Sequence, residues 1–326
     1  MSSPDRPNGR FLSRALSLAA FVAVVAFAGL AVRRAPPETL AKLGEARLSL
    51  LAAGTVLYGA GFFLRGARLN FLLPPGEPLP VARAASLSAA TLFLVQVLPF
   101  RGGELASWAL YRIALGAGWV RSGAVFAVVK IVDSGVLVLA GLSGAALLAL
   151  AGRAPGIGAA AAAGAAAGAA GLLLAPRLAG RGADRLSGRF PEGSRRRRLA
   201  AEIGAALRVA HEEPRRYLAA IAAAASCLAV QAAAIWLMLR ALHVAASPGV
   251  VALALLTSAV VSAAIPSPAG NFGPSESGFT AALLIGGVPL PLGLVAAGIL
   301  HLLSTLSAGA VGLPFLLRHG RAAIPP

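Results

Sequence analysis

The chain has 326 residues, 58% of them hydrophobic and only 13% charged, with a mean hydropathy of +0.79, which excludes an ordinary soluble domain and marks a polytopic membrane protein. Its formal net charge of +17 would point a soluble chain toward nucleic acid. Here aromatics are scarce and the arginines lie between apolar runs, where they set topology and meet anionic lipid headgroups, so no nucleic-acid partner is expected.

Apolar runs of about 17–25 residues can cross a bilayer as helices. The first, Ala15–Val32, follows Arg6, Arg10 and Arg14. It resembles a signal peptide with a small-residue site at Ala26-Phe27-Ala28, but its length and the spans after it favour an uncleaved anchor. Further full spans are expected at Leu48–Leu64, Ser122–Leu150, Ile157–Leu174, Tyr217–Leu239 and Leu292–Leu317. Gly158 to Ala170 is alanine and glycine alone, which suits close helix packing better than a linker. Residues 176–216 are expected to form a basic cytoplasmic loop at anionic headgroups: from Arg177 to Arg216 there are eleven arginines, Arg195 to Arg198 among them, against five acids.

Two stretches between these spans, Ala84–Ile113 and Gly249–Gly286, are apolar runs broken by proline and glycine. The first breaks at Pro99-Phe100-Arg101-Gly102-Gly103-Glu104. The second breaks from Pro266 and Pro268 through Gly270, Asn271 and Gly273 to Glu276. Irregular chain at membrane depth is tolerated only against protein or a watery cavity, and paired breaks carrying an acid are the sequence pointer to a transporter's substrate site. Each stretch is either two short crossing helices or one re-entrant hairpin. With the basic stretch inside, the charge rule places both ends of the first stretch in the cytoplasm and both ends of the second outside. This predicts an inverted repeat with both chain termini cytoplasmic, although Arg33, Arg34, Lys42 and Arg47 then lie outside.

Each polar residue also has a structural reading. Glu104 and Glu276 can cap the helix starts beside them, and Arg101 can snorkel to an interface. Lys130 and Asp133, three apart on one helix face, are either a self-compensating pair or a substrate contact. Trp108, Trp119 and Trp236 suit an interface belt or packing. The single cysteine, Cys227, and the scattered His211, His243, His301 and His319 give neither a disulfide framework nor a metal site, and no cofactor is expected.

Pro99-x-Arg101-x-Gly103-Glu104 is similar to the P-x-R-x-G-E-x-x-R segment of the flippase-type membrane region at the N-terminus of lysylphosphatidylglycerol synthases and of stand-alone bacterial and archaeal homologues. Gly270-Asn271-x-Gly273-x-x-Glu276 resembles that family's second Pro/Gly turn followed by G-x-x-E. Lys130-x-x-Asp133 resembles its E-R-x-x-D helix motif, and Arg68 the arginine closing its second span. Order and spacing fit over roughly residues 10–318. Ser107 and Val129 replace the family's usual arginine and glutamate, and Lys130 its arginine, which grips phosphate in a bidentate way that lysine does not.

The resemblance implies an all-α polytopic membrane protein, one membrane domain over 1–326 with six spans and two re-entrant or broken hairpins. In bacterial or archaeal plasma membrane it would move a phospholipid or another amphiphile between leaflets and would not be an enzyme; few residues follow the last span, so no synthase domain is expected. Arg101 would hold an anionic headgroup with help from backbone amides. Glu104, Asp133 and Glu276 would pair with a cationic headgroup or exchange protons, and Lys130 and Asn271 complete the substrate-binding set. No G-x-x-x-x-G-K-[ST] loop is present, so a gradient or equilibration would drive movement. The alternatives are a scaffold for a membrane synthase, or an intramembrane enzyme using Glu104 and Glu276 as acid and base, for which a nucleophile or metal constellation is missing. A second copy or a membrane synthase are the candidate protein partners.

Overall fold

A computed structural model describes residues 44–74, 76–152, 156, 158–268 and 270–323, together with 37 and 41. Among these residues are ten α-helices and no strand. Five are long and apolar enough to cross a membrane: α1 (Leu48–Leu72), α4 (Trp119–Leu150), α5 (Gly158–Arg189), α7 (Pro214–Ala241) and α10 (Leu290–Ala323). They match five of the six expected spans; the first, Ala15–Val32, lies outside the described residues.

Each broken stretch is a helical hairpin. α2 (Val81–Val97) leads to α3 (Gly102–Leu115), and α8 (Pro248–Ala264) leads to α9 (Pro274–Ile285). α2 and α8 have 17 residues each, so they reach only about 25 Å of a hydrocarbon core near 30 Å, and α3 and α9 fold back on them. The return depends on glycine: a Cβ on Gly103 would lie 2.3 Å from the Leu94 carbonyl oxygen, and one on Gly278 2.4 Å from that of Thr257. Only a missing side chain lets these arms touch backbone to backbone.

The helices fall into two similar halves, α1–α4 and α7–α10, each a long helix, a hairpin and a second long helix. The halves interlock: α2 packs on α10, α8 packs on α4, and α1 runs along α7. Gly141 of α4 meets Leu256 of α8, and Gly312 of α10 meets Ala90 of α2; each glycine is the twenty-third residue of its helix. α4, α5 and α7 are each long and apolar enough to cross once between the hairpins, and three crossings would open the hairpins at opposite faces. The hydrophobic core has two clusters that each draw on both halves, one containing Leu283, Met238 and Leu300 with Phe62 of α1, the other Leu87, Val132 and Leu69 with Tyr217 of α7.

The basic stretch differs from the loop that the sequence suggests. Residues 176–216 are almost wholly helical, because α5 continues to Arg189 and α6 (Arg195–Glu212) packs back against it. Arg177, Arg181, Arg185 and Arg189 recur every fourth residue, so charge repeats along one helix face, despite Gly180, Gly182 and Gly188 between them. α6 starts at Ser194, whose hydroxyl oxygen accepts from the Arg197 amide. This hairpin packs on α4 and joins the two halves.

Candidate functional site

The two proline-glycine breaks meet. The Phe100 amide donates to the Ser267 carbonyl (3.0 Å), and the Asn271 amide to the Gln96 carbonyl (3.2 Å). A Cβ on Gly270, at φ +65°, would lie 2.1 Å from the same Gln96 oxygen. Ser267 Oγ donates to the Phe272 carbonyl at 2.9 Å. The irregular chain of each hairpin thus satisfies the other, as backbone away from water must. A polar cavity lies in each half of the bundle.

The first cavity, about 50 Å³, is bounded by α1–α4. Arg65 and Arg68 of α1, Tyr111 of α3, and Lys130 and Asp133 of α4 line it, with Ser88 and Thr91 of α2. Arg68 is buried and pairs with Asp133. Arg65 Nη2 donates to Gln231 Oε1 of α7 at 3.3 Å. Lys130 Nζ stands 3.9 Å from Glu104 Oε1, at the half-exposed edge of the site. Three cations thus face two carboxylates, and Arg68 Nε and Ser88 Oγ are buried without a hydrogen-bond partner among the described residues. Unsatisfied buried donors beside excess positive charge suit an anionic oxygen ligand.

The second cavity, about 110 Å³, is lined mainly by α8–α10 with Tyr58 of α1 and Gln96 of α2. Glu276, the third residue of α9, closes its own helix start by accepting the Gly273 amide on Oε2 at 2.7 Å. Its Oε1 lies 2.6 Å from Nδ1 of His301, and both side chains are buried. Phe272 covers the imidazole, with ring centroids 4.1 Å apart. Ser258 and Ser275 share a hydrogen bond of 2.8 Å, and Gln96 Nε2 donates to Ser304 at 3.4 Å.

Of the residues singled out from the sequence, Glu104, Lys130 and Asp133 come together in the first half and Glu276 stands in the second cavity. Lys130 and Asp133 do not pair with each other: Asp133 turns to Arg68 and Lys130 to Glu104, each on a neighbouring helix. Arg101 is exposed at the hairpin tip in a left-handed conformation (φ 60°) and lines neither cavity, and Asn271 serves the junction through its amide. Pro99, Gly103, Pro266, Pro268, Gly270 and Gly273 all lie in the turns or at the helix starts expected of them. Trp108 and Trp119 stack edge to face at 5.4 Å, where the first hairpin meets α4.

Arg65, Tyr111, Gln96, Tyr58 and His301 were not legible as site residues. One signal existed: Lys130 follows Glu104 by 26 positions and His301 follows Glu276 by 25. Each glutamate is the third residue of its short helix, and each cation the twelfth of the long helix after it.

No curated protein and no solved structure matches the chain. The family model described as the lysylphosphatidylglycerol synthase TM region matches residues 14–312, which takes in both hairpins and both cavities. The chain therefore belongs to the family of the lysylphosphatidylglycerol synthase transmembrane region and is a multi-pass membrane protein of that family.

Proposed function

We propose that this protein carries an amphiphile with an anionic headgroup, a phospholipid in the first instance, between the leaflets of a bacterial or archaeal plasma membrane, and that it is a transporter rather than an enzyme. The observation that supports this reading most is the meeting of the two hairpin tips in a bundle that holds a polar cavity in each half. In the described conformation the hairpin tips are bonded to each other. A headgroup entering at the Lys130–Glu104 edge would exchange its water for Arg65, Arg68 and Lys130 while its tails stay in lipid. Separation of the tips would then pass it to the second cavity.

The test is a reversible lock. Phe100→Cys combined with Ser267→Cys, in a Cys227→Ser background, places two thiols on residues joined by a backbone hydrogen bond of 3.0 Å, to be bridged directly or by a short bifunctional thiol crosslinker that a reductant cleaves. In vesicles carrying a fluorescent phosphatidylglycerol, the reduced protein should move lipid between leaflets and the bridged protein should not. A reduced protein that moves lipid no faster than empty vesicles overturns the reading.

A further inference from the structure

The two halves place a glutamate and a basic side chain at the same structural positions, but not the same kind of base. In the first half it is Lys130, at the half-exposed edge of the site. In the second it is His301, enclosed with Glu276. Histidine is the side chain whose charge changes nearest neutral pH. We propose that the Glu276–His301 pair binds the proton that couples lipid movement to a proton gradient; this rests on the transport reading above.

The geometry supplies the acceptor. Glu276 Oε2 is committed to the Gly273 amide, and Oε1 lies 2.6 Å from His301 Nδ1 as a charge contact and accepts no hydrogen bond among the described residues, so the carboxylate stands ready to pair with a protonated ring. His301 Nε2 is buried without a hydrogen-bond partner among the described residues, and the ring lines the second cavity. That cavity is wide enough for ordered water, and Gln96, Ser258, Ser275 and Ser304 give such water hydrogen-bond partners. A proton delivered through this water binds the Nε2 lone pair. The pair then changes from a net negative charge, costly in a closed low-dielectric site, to a neutral ion pair, so proton binding favours the closed junction and proton release favours its opening.

The titratable groups facing the ring are Glu276 from α9 and Tyr58 from α1. Helices α2, α7 and α8 present Gln96, Ile235, Leu255 and Ser258, none of them charged. Behind Tyr58, Arg65 and Cys227 are within electrostatic reach of its hydroxyl.

The experiment measures the distribution of fluorescent phosphatidylglycerol between leaflets of reconstituted vesicles, with and without an imposed pH gradient. One proton per lipid lets a gradient of one pH unit support a leaflet ratio of up to about tenfold. Wild type should build such an asymmetry and invert it when the gradient is reversed. His301→Lys and Glu276→Gln should reach the same distribution with the gradient as without it, whatever their rate. Wild-type lipid that moves but ignores the gradient overturns the proposal and leaves the transport reading standing. If no lipid moves, the transport reading fails and the ring itself decides: with ¹⁵N-labelled histidine in detergent, the His301 nitrogen signals should change on acidification, and the change should differ in Glu276→Gln. Nitrogen signals that stay fixed on acidification overturn the proton site.

Discussion

Arg68 and Lys130 show how differently two cations in one cavity are held. Arg68 is 2% exposed and paired with Asp133, whereas Lys130 and Glu104 are 43% and 50% exposed at 3.9 Å. Removing one partner of a buried pair strands the other, typically a loss of about 3–5 kcal/mol, while an exposed pair contributes about 0–1 kcal/mol. Asp133→Asn is therefore expected to lower thermal stability in detergent by several degrees. Lys130→Gln should change it by a degree or two at most. Pairing Asp133→Asn with Arg68→Met should recover part of the loss, and a double variant as unstable as the single would separate Asp133 from Arg68. The sequence made the charged residues visible but not their partners. Three-residue spacing on one helix suggested Lys130 with Asp133, and the contacts instead cross between helices, over a separation of 65 positions for Arg68 and Asp133.

At the scale of the elements, the hairpins were legible because proline and glycine interrupt apolar runs too long to be loops. What the spacing could not show is which glycines carry the contact. Gly278 and Gly103 stand where a Cβ would fall within 2.4 Å of backbone on the entering arm, whereas a Cβ on Gly118 would meet nothing within 4 Å. Gly278→Val and Gly103→Val should force the hairpin arms apart and abolish monodisperse folded protein, with Gly118→Ala indistinguishable from wild type by size-exclusion chromatography. Folded Gly278→Val would show that the close approach is dispensable. The basic stretch was misread as loop because arginine density marks a cytoplasmic position without fixing conformation. Its four-residue arginine spacing was the helical signal, set against three intervening glycines, and the Ser194 cap fixed where α6 begins.

For the whole molecule, the sequence supported an inverted repeat through charge asymmetry alone, and the interlocking of α2 with α10 and α8 with α4 gives it a packing basis. The opposed hairpins make a definite topological prediction. Gly118 and Pro289, both exposed, lie at the returning ends of the first and second hairpins. In a Cys227→Ser background, Gly118→Cys should react with a membrane-impermeant maleimide only from the cytoplasm and Pro289→Cys only from outside. Labelling of both from one face would exclude opposed hairpins. The cavities were not legible at this scale, because Arg65, Gln96, Tyr58 and His301 converge from helices distant in sequence and only the folded bundle brings them together.

The central claim is that an anionic headgroup crosses through the cavity of Arg65, Arg68 and Lys130. Its most direct test is the translocation rate of fluorescent phosphatidylglycerol in vesicles containing wild type or the double variant Arg65→Gln/Lys130→Gln, with thermal stability measured in parallel. A charge-assisted hydrogen bond contributes about 1.5–3 kcal/mol, so loss of both cations should slow translocation by at least about tenfold in protein that still folds. Translocation by a folded double variant at the wild-type rate would contradict the account.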